Sequence, residues 1–152
     1  MSRVQLALNV ADVGEAVAFY SKLFATEPNK IRPGYANFAI DEPPLKLVLI
    51  ENADAASALN HLGVEVASTN EVVDARSRLF AAGLVTADEN SVECCYALQD
   101  KIWVGSPDGE PWEIYTVISD VETAGGLNND AHAEIACCST GEEIGLSISK
   151  CC

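Results

Sequence analysis

The feature that most narrows what this chain can become is an internal repeat. Gln5 to Ala25 laid without a gap over His61 to Ala81, an offset of 56 residues, matches at nine of 21 positions: Leu6, Val10, Ala11, Glu15, Val17, Ser21, Leu23, Phe24 and Ala25. Self-similarity at one fixed offset marks a duplicated structural unit. Each copy opens with apolar residues at alternate positions, Val4, Leu6, Leu8 and Val10, then Leu62, Val64 and Val66, which predicts a half-buried strand. Asp12-x-x-Glu15 and Ser68-x-x-Glu71 follow as capping boxes, whose side chains satisfy exposed amides at a helix start. Val13, Ala16, Val17, Tyr20, Leu23 and Phe24 then recur at helical spacing, as do Val72, Val73, Leu79 and Phe80, so each copy is expected to carry a helix with one apolar face. Gly83 is placed to cap the second.

After the first helix a short strand near Lys30 and strands at Ala36–Ile40 and Lys46–Glu51 are expected, the last two separated by Asp41-Glu42-Pro43-Pro44. After the second come Val85–Ala87, Cys94–Leu98, Ile102–Val104 and Trp112–Ile118, with a Pro107-Asp108-Gly109 turn before the last. The fold class is therefore α+β, two tandem βαβββ modules at about 1–53 and 58–118 forming a cupped mixed sheet. From 119 to 152 the pattern dissolves into Gly125-Gly126, Asn128-Asn129 and Gly141-Glu142-Glu143, with no aromatic residue beyond Val121, and a flexible tail is expected.

Of the 152 residues, 49% are apolar, enough for one compact core. A formal net charge of −14 repels phosphate backbones and anionic lipid, which argues against nucleic acid and membrane surfaces as partners. The N-terminus enters its strand pattern at once, with no basic stretch leading into an apolar one, so a cytoplasmic protein is expected. All six cysteines stand in neighbouring pairs, Cys94-Cys95, Cys137-Cys138 and Cys151-Cys152. Neighbours close only a small strained ring when oxidised to each other, whereas two adjacent thiolates converge readily on one large soft ion. Soft metal or metalloid binding is the leading reading; buried cysteines serving as small apolar residues are the other.

Alternation sets Gln5, Ala7 and Asn9 on the polar side of the first strand, and His61, Gly63 and Glu65 on that of its repeat, with Gln5 and His61 at equivalent positions. On the last strand Glu113, Tyr115 and Val117 share a face opposite Trp112, Ile114 and Thr116. A histidine, a carboxylate and an amide oxygen from three strands would form a nitrogen and oxygen set that suits Fe(II). Ordinary hydrogen-bonding residues are the alternative for all three, and His132 in the tail is a further histidine.

The repeat with Gln5, His61 and Glu113 resembles the vicinal oxygen chelate superfamily over roughly residues 1 to 118. More closely, Arg32-Pro33-Gly34-Tyr35-Ala36-Asn37-Phe38, Pro44-Leu45-Lys46-Leu47-Val48-Leu49, Leu59-Asn60-His61-Leu62-Gly63-Val64-Glu65 and Cys94-Cys95-Tyr96-Ala97-Leu98-Gln99-Asp100-Lys101 resemble the carbon–arsenic lyases of the ArsI type and the related cadmium-induced proteins. The resemblance implies an enzyme that uses Fe(II) and O2 to cleave the carbon–arsenic bond of trivalent methyl or aromatic arsenicals and release arsenite. It implies iron on Gln5, His61 and Glu113, and arsenic on Cys94 and Cys95. Asp100 and Lys101 are then expected in a loop that closes over the arsenical, or else in an ordinary solvated turn. The tail pairs Cys137, Cys138, Cys151 and Cys152 are candidate accessory arsenic binders. A non-enzymatic protein that sequesters cadmium or arsenite, and an isomerase or glyoxalase-like enzyme, are the competing readings; monomer and homodimer both remain open.

Overall fold

In the computed structural model, residues 2–84, 86–94 and 96–120 are described. The expectations that fall on Val85, Cys95, His132, Cys137, Cys138, Cys151, Cys152 and the rest of the tail beyond Asp120 lie outside the described residues. By its contacts the chain divides into a unit at Met1–Glu65 and a unit at Val66–Cys152.

In the first unit Arg3–Val10 form β1, Val13–Phe24 α1, Lys30–Arg32 β2, Tyr35–Ile40 β3, Leu45–Glu51 β4 and Leu59–Glu65 β5. The strands lie in the order β2-β3-β4-β1-β5. β1 runs parallel to β4 and antiparallel to β5, so the sheet is mixed. α1 begins where expected: the Asp12 carboxylate accepts from the Glu15 N–H at 2.8 Å, and Glu51 Oε2 accepts from the Val13 N–H at 3.1 Å. These carboxylates satisfy amides that have no partner inside the helix and complement its positive end. Val13, Ala16, Val17, Tyr20 and Phe24 pack on alternate residues of three strands, among them Leu6 and Leu8 of β1, Phe38 of β3 and Leu47 and Leu49 of β4. Leu23 is a correction to the expected face. It is 58% exposed, because α1 turns its neighbour Phe24 to the sheet instead.

In the second unit Thr69–Ala81 form α2, Ala87–Cys94 β6, Ala97–Gly105 β7 and Pro111–Asp120 β8. Strands β8, β7 and β6 are neighbours in that order, all antiparallel. The Ser68 hydroxyl accepts from the Glu71 N–H at 3.4 Å, and Glu71 Oε2 accepts from the Ala67 N–H at 3.3 Å. At the other end Gly83, at φ 80°, lets the Leu84 N–H reach the Leu79 carbonyl at 3.0 Å, a left-handed closure that favours glycine. Val72, Ala75 and Leu79 pack with Val66, Ile102, Val104 and Ile114. Val73 and Phe80, expected on that face, are 50% and 80% exposed.

The order β-α-β-β-β therefore appears twice along the chain, and the α+β class stands. Two local expectations are corrected. The strand expected at Cys94–Leu98 is a hairpin connection, with β6 ending at Cys94 opposite Ala97 and Tyr96 at φ 63°. Asp100 and Lys101, expected in a loop, lie in the middle of β7, which runs on through Ile102 and Val104. Among the described residues no helix is long and apolar enough to cross a membrane.

Candidate functional site

The pairing of β1 with β5 turns the repeat into a geometric object. Leu6 stands opposite Leu62, its own repeat equivalent, so Gln5 faces Gly63 and Ala7 faces His61. Each functional side chain thus lies across from the small residue of the other copy and diagonal to its own equivalent. Both are 4% exposed, and Gln5 Nε2 lies 2.9 Å from His61 Nε2. An amide nitrogen carries donors only, so in this contact the ring nitrogen accepts. On the other side of the ring, His61 Nδ1 is 2.7 Å from Asn60 Oδ1, Asn60 Nδ2 donates to Asn9 Oδ1 at 2.8 Å, and Asn9 Nδ2 donates to the Ser57 carbonyl at 2.9 Å. All these groups are neutral when the imidazole is neutral. Farther along β5, Glu65 forms ion pairs with Arg3 Nε at 2.6 Å and Lys46 Nζ at 3.9 Å.

The second unit gathers charge. Ile114 packs with α2, so the neighbouring Glu113 points to the opposite face of β8, as alternation predicts, and it is 4% exposed. Trp103 stands opposite Glu113 and Lys101 opposite Tyr115, while Glu89 of β6 stands opposite Lys101. Lys101 Nζ is 3.7 Å from Glu113 Oε2 and 3.7 Å from Glu89 Oε2. The Trp103 indole N–H donates to Glu89 at 3.2 Å, and the ammonium lies 5.3 Å from the centre of the Trp103 ring. Lys101 is 2% exposed, and a buried cation is tolerable when it is paired with carboxylates and faces an aromatic ring in this way. Its neighbour Asp100 turns to the other face, where it accepts from the Thr69 hydroxyl at 2.6 Å and from the Ser91 N–H at 2.8 Å. Asp100 fastens the start of α2 to β6, and Lys101 braces Glu113; neither is placed to close a loop.

Sequence reasoning reached Gln5, His61 and Glu113, and all three are buried polar residues on strands. It missed Asn60, Glu89 and Trp103. The alternation of Trp103 with Lys101 was a usable signal for the charged cluster, whereas nothing in the spacing points to Asn60. Cys94 ends β6, and Cys95 lies outside the described residues. Among the described residues no three His, Cys, Asp or Glu side chains gather as a metal site.

Residues 3–114 match the Glyoxalase/Bleomycin resistance protein/Dioxygenase superfamily. Over 159 residues, spanning both chains completely, the sequence is 52% identical to a protein from Thermomonospora curvata named trivalent organoarsenical cleaving enzyme. It is 55% identical over 145 residues, 93% of this chain and 95% of the other, to the cadmium-induced protein CadI of Mycobacterium bovis. Among solved structures it is similar to the Mn(II)-bound glyoxalase from Novosphingobium aromaticivorans, with a TM-score of 0.57, 24% identity, and coverage of 80% of this chain and 42% of that one. The duplicated βαβββ order, the match over most of its length and the full-length relatives agree: the chain belongs to the glyoxalase, bleomycin resistance protein and dioxygenase superfamily, in the group that holds the trivalent organoarsenical cleaving enzymes and the cadmium-induced proteins.

Proposed function

We propose that this protein is a metal-dependent enzyme that cleaves the carbon–arsenic bond of trivalent organoarsenicals, with Fe(II) as its metal and O2 as co-substrate, releasing arsenite. The observation that carries the reading is the buried Gln5–His61 pair, joined to 52% identity over the full length of a relative named for that cleavage. The donor set suits the metal. His61 Nε2 bears a lone pair inside a buried face, and a half-turn of the Gln5 amide exchanges its nitrogen for an oxygen at the same place. Glu113 would supply the carboxylate. Iron held there would supply the activation of dioxygen.

The chain's own residues do the rest. Cys94 and Cys95 capture the soft arsenic as thiolates and so orient the carbon–arsenic bond. Lys101 holds the Glu113 carboxylate in one rotamer and Glu89 holds Lys101, so the ligand is oriented before metal arrives. Gln5 contributes no charge, which leaves His61 and Glu113 to set the strength of the hold.

A second reading, sequestration of cadmium or arsenite without turnover, draws on the three cysteine pairs and on the identity to a cadmium-induced protein. Anaerobic loading with Fe(II), then addition of a trivalent methyl or phenyl arsenical and O2, separates the two. Arsenite release that requires iron, O2, Cys94 and Cys95 is expected. Tight arsenical binding without arsenite, at full iron occupancy, would establish sequestration instead.

A further inference from the structure

The environment of His61 contains a device that the repeat does not explain. β1 and β5 stay in register from Arg3 opposite Glu65 to Ala7 opposite His61, and then Leu8 stands opposite Leu59. One residue of β5, Asn60, is left over. This is a β-bulge, which bends the strand and re-aims the extra side chain. In a regular strand Asn60 and His61 would point to opposite faces; here their side chains meet at 2.7 Å.

The direction of the hydrogen bonds around the bulge follows from one fixed point. The Ser57 carbonyl can only accept, so the Asn9 atom facing it at 2.9 Å is the amide nitrogen. Asn9 then offers its oxygen to Asn60 at 2.8 Å, which makes the facing Asn60 atom its nitrogen. Asn60 in turn offers its oxygen to His61 Nδ1, and an oxygen there demands that Nδ1 carry the proton. In the neutral ring this leaves Nε2 unprotonated, and the Gln5 amide nitrogen 2.9 Å away on the other side of the ring suits the same tautomer.

We infer that Asn60, oriented by Asn9 and the Ser57 carbonyl, is a positioning residue that locks neutral His61 in the Nδ1–H tautomer, so that Nε2 presents its lone pair for metal before any metal binds. The inference deepens the iron reading and rests on it for its consequence, but the tautomer stands on hydrogen bonds alone. Ligating histidines are commonly oriented through their second nitrogen, and loss of such a contact weakens metal binding about 10- to 100-fold.

The test uses the full chain with 15N-labelled histidine in mildly alkaline buffer without metal, followed by anaerobic Fe(II) titration of the same samples. The chain has two histidines, and His132→Gln assigns the signals. His61 is expected as the Nδ1–H form in the wild type, with Asn60→Leu shifting it toward Nε2–H and weakening Fe(II) about 10- to 100-fold. Asn60→Asp, which keeps the acceptor, is expected to retain both the tautomer and most of the affinity, and it answers the objection that Asn60→Leu disturbs the fold. An Nε2–H ring in the wild type, or an unchanged tautomer in a folded Asn60→Leu, overturns the inference. A wild type with the Nδ1–H ring, lost in Asn60→Leu, but no Fe(II) uptake would uphold the hydrogen-bond chain and sink the iron reading.

Discussion

The polar faces of the two units solve the burial of hydrogen-bonding groups in different ways. In the first, Gln5, His61, Asn60 and Asn9 form a file of neutral groups that ends on a backbone carbonyl. In the second, Lys101 stands between Glu89 and Glu113 with an indole against it. A file of neutral hydrogen-bonded groups costs little to bury and fixes proton positions. A buried ion cluster is costly to desolvate but holds its carboxylate rigidly. The repeat started both units from one pattern, and the neutral and the charged way of burying polar groups are split between them.

The largest expected effect strikes that split directly. His61→Ala should weaken Fe(II) by more than about 100-fold, beyond what loss of an outer contact does, while the protein stays folded. Glu113→Gln should also weaken it, because the amide keeps the shape and loses the charge. Anaerobic titration measures both, and wild-type affinity in His61→Ala would remove the first unit from the metal site.

Stability should separate the units next. Lys101→Met strands two buried carboxylates and is expected to cost about 3–5 kcal/mol in urea unfolding, with part regained when Glu89→Gln is added. Asn60→Leu, in the neutral file, should cost about 1–3 kcal/mol. Equal costs would dissolve the contrast between the two kinds of burial.

The helices offer a finer comparison, since Phe24 and Phe80 occupy the same repeat position. Phe24 packs on the first core, whereas Phe80 is 80% exposed. The caps start both helices in one phase, yet α2 buries Val72, Ala75 and Leu79, a stripe rotated from the Val13, Ala16, Val17, Tyr20 and Phe24 stripe of α1. Phe24→Ala is expected to cost about 2–3 kcal/mol and Phe80→Ala less than about 0.5. Thermal unfolding of the two variants measures the rotation as an energy.

That rotation also shows where the sequence is legible. Caps and strand alternation depend on neighbours in the chain, so Asp12, Ser68, Gly83 and the faces of β1, β5 and β8 could be read. Which of several apolar residues on a helix meets the sheet depends on docking, so Leu23, Val73 and Phe80 were placed on the wrong face. Gln5, His61 and Glu113 were legible as lone polar residues on strands. Asn60 was not, because a bulge is a property of two paired strands and leaves no period in either. Asp100 and Lys101 were expected in a loop or turn because they follow the strand expected at Cys94–Leu98; in β7 they serve two faces, one tied to α2 and the other to Glu113.

The smallest effect lies at the β7–β8 hairpin. Gly109, at φ 95°, lets its N–H reach the Ser106 carbonyl at 3.1 Å, and the Ser106 hydroxyl donates to the Glu110 carboxylate. That hydroxyl, followed by the backbone N–H of Glu110, holds the carboxyl below its ordinary value of 4.5. A carboxyl lowered on folding stabilises the fold above its ordinary value and loses that contribution as pH falls through the folded one, so this turn should loosen only in acid below 4.5. Glu110 is half-buried in the turn, and the change belongs there rather than to the buried cluster. Carboxyl 13C titration is expected to show Glu110 moving up in Ser106→Ala, with no change in Fe(II) affinity. A Glu110 that titrates identically in both proteins would break the assignment to the hydroxyl, and a coupled loss of iron would mean that the hairpin turn and the Glu113 strand it begins are not energetically separate.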